Sequence, residues 1–418
     1  MSATAPAPVE GGPGAPSVAT PGDESLSTYA RRWWAGVRGG ELGSLPIIVG
    51  LIIIAIVFQS QNDNFLTAGN FVNLIVQAAA ITTIGMGIVF VLLLGEIDLS
   101  VGFVSGVAGV ITALLTLPDN SHQFAAGPTL VIVLLVGLGI GTFHGLLITK
   151  IGIPSFVVTL AGLLGWNGVV LLLIGDRGTA ILQNDFFVGF ANDFLADATS
   201  WIVAIVGIAL YAAMLFWQRI QRARHGLPNA PDVVLLLRVA VLAIAVLAVV
   251  YVCNQDRGVP YVLLVLAGLF IFWTYVLNRT RFGRHIYAVG GNAEAARRAG
   301  ISVDNIRIAC FAICSMMAAI GGIILASRLR SVDTNSGGGS ILLYSIAAAV
   351  IGGTSLFGGR GTAWSALLGA LVIGSIQSGM AIEGVANSVQ YMITGAVLLA
   401  AVVIDSVARR TQKASGRA

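Results

Sequence analysis

Apolar runs of about 20 residues recur from residue 45 to residue 405, separated by short polar connections. Each run, folded as a helix, rises about 30 Å, which is the thickness of a bilayer's hydrocarbon core. In lipid such segments must satisfy their own backbone groups, and helices do so. Hydrophobic residues make up 56% of the 418 positions and charged residues 10%, with a mean hydropathy of +0.90, so two or three soluble domains are excluded. The 52 glycines suit close helix packing in lipid. The fold class is all-α: a polytopic helical membrane protein.

Spans are expected over 44–59, 70–94, 100–117, 128–149, 155–175, 200–218, 233–253, 259–278, 306–326, 341–357, 361–379 and 388–405. That is about twelve, ten core spans plus an extra hydrophobic hairpin, making one transmembrane domain over 44–405. Charge sets the orientation. With the N-terminus inside, eighteen of the 23 basic residues fall on cytoplasmic segments, and only Arg177, Arg257, Arg328 and Arg330 fall outside. Both termini are therefore expected in the cytoplasm. Residues 1–26, rich in Ala, Pro, Gly and Ser, read as a disordered tail. Residues 27–43, with Trp33 and Trp34 among three arginines, read as an interfacial helix, and 406–418 as a cytoplasmic tail. Tyr344, Ser345, Gly352, Gly353, Thr354 and Ser355 make 341–357 either a span or a broken, re-entrant helix.

The least lipid-compatible stretch is the polar island from Arg279 to Arg307, with six arginines; its loop is 279–305. A short helix at 293–299 is marked at both ends. Asn292 can cap it, Glu294 sits in its first turn, Arg297 and Arg298 occupy its last turn, and Gly300 can end it in a left-handed conformation. Seven residues are too few for a helix stable alone in water. It must rest on its own chain, on lipid headgroups or on a partner, and docking to a partner is the expectation. Ile301, apolar on a cytoplasmic surface, is the expected anchor, with Arg297 and Arg298 at the rim.

A second polar feature, G-E-I-D-L-S-V-G, spans Gly95 to Gly102. Asp98 or Ser100 can cap the helix that follows. Glu96 lies at a helix C-terminal end, against the dipole, and should have a cationic partner. Local satisfaction, a buried ion pair and a proton-coupling site all remain open for this pair. A third feature runs from Ala347 to Gly374, where Gly352, Gly353, Gly358, Gly359 and Gly361 allow tight turns. The only lysines are Lys150 and Lys413, and neither follows a glycine, so no G-x-x-x-x-G-K-[ST] nucleotide loop exists here. If ATP drives this protein, the ATPase is another chain. Asn73 with Gln77, Asn167, and Gln377 with Ser378 place amides and hydroxyls within spans, as path residues for an uncharged polyol or as interhelical glue. Cys253, Cys310, Cys314 and the four histidines lack metal-ligand spacing. No catalytic constellation points to an enzyme.

Together, E-I-D-L-S-V-G (96–102), I-P-S-F-V-V-T-L-A-G (153–162), F-G-R-x-I-Y-A-V-G-G-N-x-E-A-A-R-x-x-G-I (282–301) and V-I-G-G-T-S-L-x-G-G (350–359) resemble permease subunits of bacterial ATP-binding-cassette sugar importers. These are the importers of the ribose, galactose, arabinose and xylose type. The resemblance covers roughly 45–405. Glu96 and the extra hairpin around 219–258 look most like the xylose-type branch. The resemblance implies an inner-membrane homodimer with cytoplasmic ATPase subunits, which carry the ATP and Mg, and no cofactor in this chain. A periplasmic or lipid-anchored sugar-binding protein is a further implied partner, and the island helix becomes the coupling helix. The chain departs from the family pattern at 341–346, where I-L-L-Y-S-I replaces an acidic E-L-x-A-I. The competing class is an ion-coupled secondary transporter using Glu96 or Asp98.

Overall fold

The computed structural model describes residue 31 and residues 45–118, 123–227, 229 and 231–414. Apart from Arg31, the expected interfacial helix at 27–43 and the tail at 1–26 lie outside the described residues, as does the end of the C-terminal tail. The described chain divides into two units.

The larger unit, Leu42–Ser200 with Val250–Ala418, is a helix bundle. Its helices are α1 (Leu45–Gln61), α2 (Ala68–Leu93), α3 (Val101–Leu115), α4 (Ala126–Leu146, continued by a π turn to Ile151) and α5 (Ser155–Ile174). Next come the short α6 (Asp185–Asn192), then α7 (Asp197–Arg224) and α8 (Asp232–Asn254), most of which form the smaller unit. The chain returns through α9 (Tyr261–Arg279), α10 (Arg281–Gly291), α11 (Ala293–Arg298), α12 (Val303–Leu329), α13 (Ile341–Ile351), α14 (Ala363–Ile382) and α15 (Asn387–Ala414). Each of the twelve expected spans overlaps one helix. Among the described residues, eight helices are long and apolar enough to cross a membrane. At 17, 15 and 11 residues, α1, α3 and α13 are shorter. The last, expected over 341–357, stops at Ile351 and reaches only about 16 Å, so it is a broken helix.

Burial sorts these helices. In the most apolar window of α2, 89% of residues are buried, against 28% in α5, whose Leu160, Leu164 and Leu172 face outward. Thus α2 is a core element and α5 a lipid-facing one. The other central helix is α12, which packs along α2, α3 and α4. Small residues permit that approach. Gly137, Gly141 and Gly145 lie four apart on α4, and a Cβ at Gly141 would overlap the Phe311 carbonyl oxygen of α12. Trp273 of α9 donates to Met317 Sδ at 3.1 Å and meets the Phe90 ring edge-on at 4.8 Å, joining α9 to the same core.

Two small antiparallel ribbons tie down the connections. Strand β1 (Thr179–Ile181) pairs with β4 (Ser331–Asp333), and β2 (Phe194–Leu195) with β3 (Val259–Pro260). The smaller unit is a helical hairpin of α7 and α8 turning at 225–231, where Arg219 pairs with Asp232. Ile205, Leu210, Trp217, Leu237 and Ile244 are exposed on it, as in a surface meant for lipid.

Candidate functional site: a polar node and a polar cavity

The three polar features of the sequence meet at one end of the bundle. Gly359 N–H donates to the Leu93 carbonyl, the last residue of α2, at 2.8 Å. Gly290 of α10 presses on the same point: a Cβ there would overlap the Leu93 oxygen and lie 2.9 Å from Gly359 N. Gly95 and Gly358, with φ of +75° and +86°, turn the two loops past each other, as glycine allows at low cost. Gly353 and Gly359 also take positive φ, and Gly352 lies against the Ser365 carbonyl. Tyr287 of α10 donates to the Gly361 carbonyl at 2.8 Å, and burial pushes its phenol pKa up, keeping the proton that makes this bond.

Glu96 has the cationic partner its position requires. Arg307 Nη2 lies 3.2 Å from one carboxylate oxygen, and Ser155 Oγ donates to the other at 2.5 Å. The pair is mostly buried, with side chains 17% and 28% exposed. The island's last arginine is thus clamped to the acidic break and to the first residue of α5.

Asp98 behaves differently from the cap expected of it. Helix α3 starts at Val101, and Ser100, in the N-cap position, makes no side-chain cap bond. Instead Asp98, 2% exposed, accepts from both Ser100 N–H at 2.9 Å and Ser100 Oγ at 2.6 Å. Behind it Trp166 of α5 donates to His144 Nε2 at 3.1 Å. Indole N–H only donates, so Nε2 accepts and the ring proton sits on Nδ1, 3.4 Å from Ser100 Oγ. A polar relay therefore links α5, α4 and the head of α3.

The island holds one helix more than expected. Phe282, Ile286 and Val289 are apolar at i, i+4 and i+7, and Thr280 caps α10 by accepting from Gly283 N–H at 3.1 Å. The expected capped helix is α11. Asn292 accepts from Ala295 N–H at 2.9 Å, and Gly300 has φ of +83°. Of this helix only Ala296 is buried; Glu294, Ala295, Arg297 and Arg298 are exposed, as is Ala299 beyond it. The arginines pair with Glu294, at 3.0 Å and 3.2 Å, within their own helix. Ile301 is half-buried and packs on the chain's own core. The outward face is therefore one of small residues flanked by charge.

At the other end of α2, α12 and α14 lies a cavity of about 490 Å³. Asn70, Asn73 and Gln77 of α2 line it, with Asn192, Arg257, Arg328 and Ser378. Asn73 and Gln77, paired in the sequence, are thus brought together with polar groups from four other segments. Arg257 donates to Asn73 Oδ1 at 2.6 Å and is paired with Asp256 at 2.9 Å. Gln377 is buried on α14 and leaves the lining to Ser378, while Asn167 on α5 is not part of the cavity. Asn70, Arg257 and Arg328 were missed in the sequence. Arg328 and Arg257 stood out only as basic residues on the segments expected outside.

Apolar helices long enough to cross a bilayer, with a polar cavity at one end and a tight polar node at the other, mark a polytopic helical membrane protein. The chain belongs to the family described as branched-chain amino acid transport system / permease component, whose model matches residues 70–402. It is 35% identical over 396 residues to the xylose transport system permease protein XylH of Escherichia coli strain K12, covering 94% of this chain and 99% of that one. XylH of Haemophilus influenzae is 34% identical over 369 residues, covering 87% and 96%. The ribose import permease protein RbsC of Bacillus subtilis is 30% identical over 371 residues, covering 88% and 94%. No solved structure matches the chain.

Proposed function

We propose that this chain is the membrane permease subunit of an ATP-binding-cassette importer in the bacterial inner membrane. It forms the path by which a monosaccharide, xylose or a related sugar, enters the cytoplasm. One observation carries the reading: end-to-end similarity to xylose permeases, which extends through the α7–α8 hairpin. A second copy of the chain completes the path, ATPase subunits supply the energy from ATP and Mg, and a sugar-binding protein delivers the substrate. In this reading the node end is cytoplasmic and the cavity end faces outward, as the charge asymmetry expects. Ion coupling is the weaker reading, because Glu96 is engaged by Arg307 and Ser155, and Asp98 is not among the residues that line the 490 Å³ cavity.

The exposed face of α11 is the proposed docking element. Ile301 is a poor probe of it, since Ile301→Asp would disturb the permease's own packing. Ala295→Trp is better: the residue is exposed, so a large ring there leaves the bundle intact and obstructs a partner. The variant should insert and purify normally yet lose co-elution with its ATPase and ATP-driven uptake, while Arg298→Ala should be milder and more salt-sensitive. Normal co-elution and parental uptake by Ala295→Trp would remove α11 from the interface.

A further inference from the structure

Most polar groups around the 490 Å³ cavity are already engaged within the chain. Asn70 donates to the Phe65 carbonyl at 2.7 Å and accepts from Ser378 Oγ at 2.7 Å. Asn192 donates to the Ser327 and Val188 carbonyls and accepts from Arg330 Nε at 3.2 Å. Arg257 is bonded to Asn73 and Asp256 and lies over the Phe194 ring at 4.8 Å. Three groups are left over. The Arg328 guanidinium has no hydrogen bond or ion pair among the described residues; neither has the Gln77 amide, and Asn73 uses only its oxygen.

These three come from two central helices, α2 and α12, and line one space whose other walls include Val76, Ala381 and Ile382. Its volume lies within the range of about 300–1,000 Å³ typical of small-molecule sites. A guanidinium offers five N–H groups in a fixed fork, suited to two acceptors on adjacent atoms. An amide offers both a donor and an acceptor, which matches a hydroxyl that does both. Apolar walls suit the C–H face of a sugar ring. We propose that Arg328, Gln77 and the free Asn73 N–H₂ form a sugar subsite in which the Arg328 fork grips two neighbouring hydroxyls and Gln77 a third. The subsite rests on the permease reading above and makes Arg328 the residue that selects a vicinal diol.

The arrangement also foretells which variants fold. Among the described residues nothing bonds to the Arg328 side chain, so Arg328→Leu removes no such bond. Gln77→Leu, close in size, likewise breaks none. The test uses the whole transporter, permease with ATPase and sugar-binding protein, in proteoliposomes. Uptake of radiolabelled xylose and of its single-deoxy analogues is followed alongside ATP hydrolysis.

For the parent, loss of one of the gripped hydroxyls should lower uptake about tenfold, the net worth of about one hydrogen bond. Arg328→Leu should lower xylose uptake by a similar factor, with unchanged assembly, and should no longer distinguish that analogue from xylose. Arg328→Lys, which keeps the charge without the fork, should restore only part of the rate. Gln77→Leu should lose discrimination at a different hydroxyl. If Arg328→Leu carries xylose at the parental rate, or still discriminates among the analogues as the parent does, the subsite is overturned while the permease reading stands. If the parental transporter carries neither xylose nor ribose, the permease reading fails and the subsite with it.

Discussion

Two adjacent glycines on α10 meet opposite surroundings, and one methyl group separates them. Gly290 faces the Leu93 carbonyl, whereas a Cβ at Gly291 would meet nothing within 4 Å. In Gly290→Ala the new methyl must displace backbone, not the end of a flexible side chain. The displaced carbonyl also holds Gly359 N–H at 2.8 Å, so relief of the clash strains that bond. Overpacking of this kind costs about 1–3 kcal/mol and a weakened hydrogen bond about 1 more. Higher helix propensity returns about 0.5–1 kcal/mol. The net is about 1–3 kcal/mol against the docked island, a shift of roughly 5- to 150-fold in the ratio of docked to undocked states. Gly291→Ala receives only the propensity gain and should be neutral or slightly stabilising. Trypsin reads the difference through Arg281, Arg284, Arg297 and Arg298, because cleavage tracks local opening when reclosing is fast. Cleavage of the island in Gly290→Ala should rise by on the order of tenfold, and Gly291→Ala should match the parent or fall below it. Equal cleavage of the two variants would refute the close approach.

The clamp on Glu96 gives a graded expectation: Glu96→Ala leaves a mostly buried guanidinium without its carboxylate and should cost about 1–3 kcal/mol of thermal stability. Glu96→Gln, which still accepts a hydrogen bond, should keep substantial ATP-driven uptake; uptake that instead loses its pH dependence in an assembled, ATP-hydrolysing variant would favour ion coupling. For the polar relay, Trp166→Phe strips the donor from the buried His144 Nε2 and should cost about 1–3 kcal/mol, whereas adding His144→Phe should recover part of it. Additive losses across that double-mutant cycle, measured by thermal unfolding, would count against the bond.

Lipid made much of this fold legible. A bilayer admits helices of one approximate length, so apolar runs mark them directly, and every expected span overlaps a helix, though that expected over 341–357 stops at Ile351. The cap on α11 was legible for a local reason, since Asn292 and Gly300 act within a few residues of themselves. Glu96 announced its need for a cation but not which one. Arg307 lies 211 positions away in sequence, and only the fold of α12 onto the acidic break brings them together. Ile301, expected as an anchor for a partner, is half-buried against the chain's own core, because apolarity does not say which pocket a side chain fills. Asp98 misled for a similar reason. An Asp two residues before a Ser can bond that residue's N–H and hydroxyl as readily as cap a helix. The cavity was half legible: Asn73 and Gln77 share a helix face, while Arg328 arrives from a helix end distant in sequence.

The node and the cavity share continuous elements. Helix α2 carries Asn70, Asn73 and Gln77 near one end and ends at Leu93 in the node; α12 starts beside the Glu96 clamp and carries Arg328 in its last turn. Both exceed 25 residues, about 39 Å of helix, and both are packed closely on neighbours along their length. The interrupted α13, packed on α2 and α14, ends at Ile351, and a glycine-rich turn leads from it into α14. The long helices can move as bodies, and the turns at Gly353, Gly358 and Gly359 can absorb the motion at their node ends. A shift of α10 against Leu93 and Gly359 therefore acts on the same helix that holds Asn73 and Gln77, with no further element between them. If the proposed subsite holds the sugar, such coupling is reciprocal: whatever the node's arrangement does to sugar affinity there, the sugar must do to the node in equal measure.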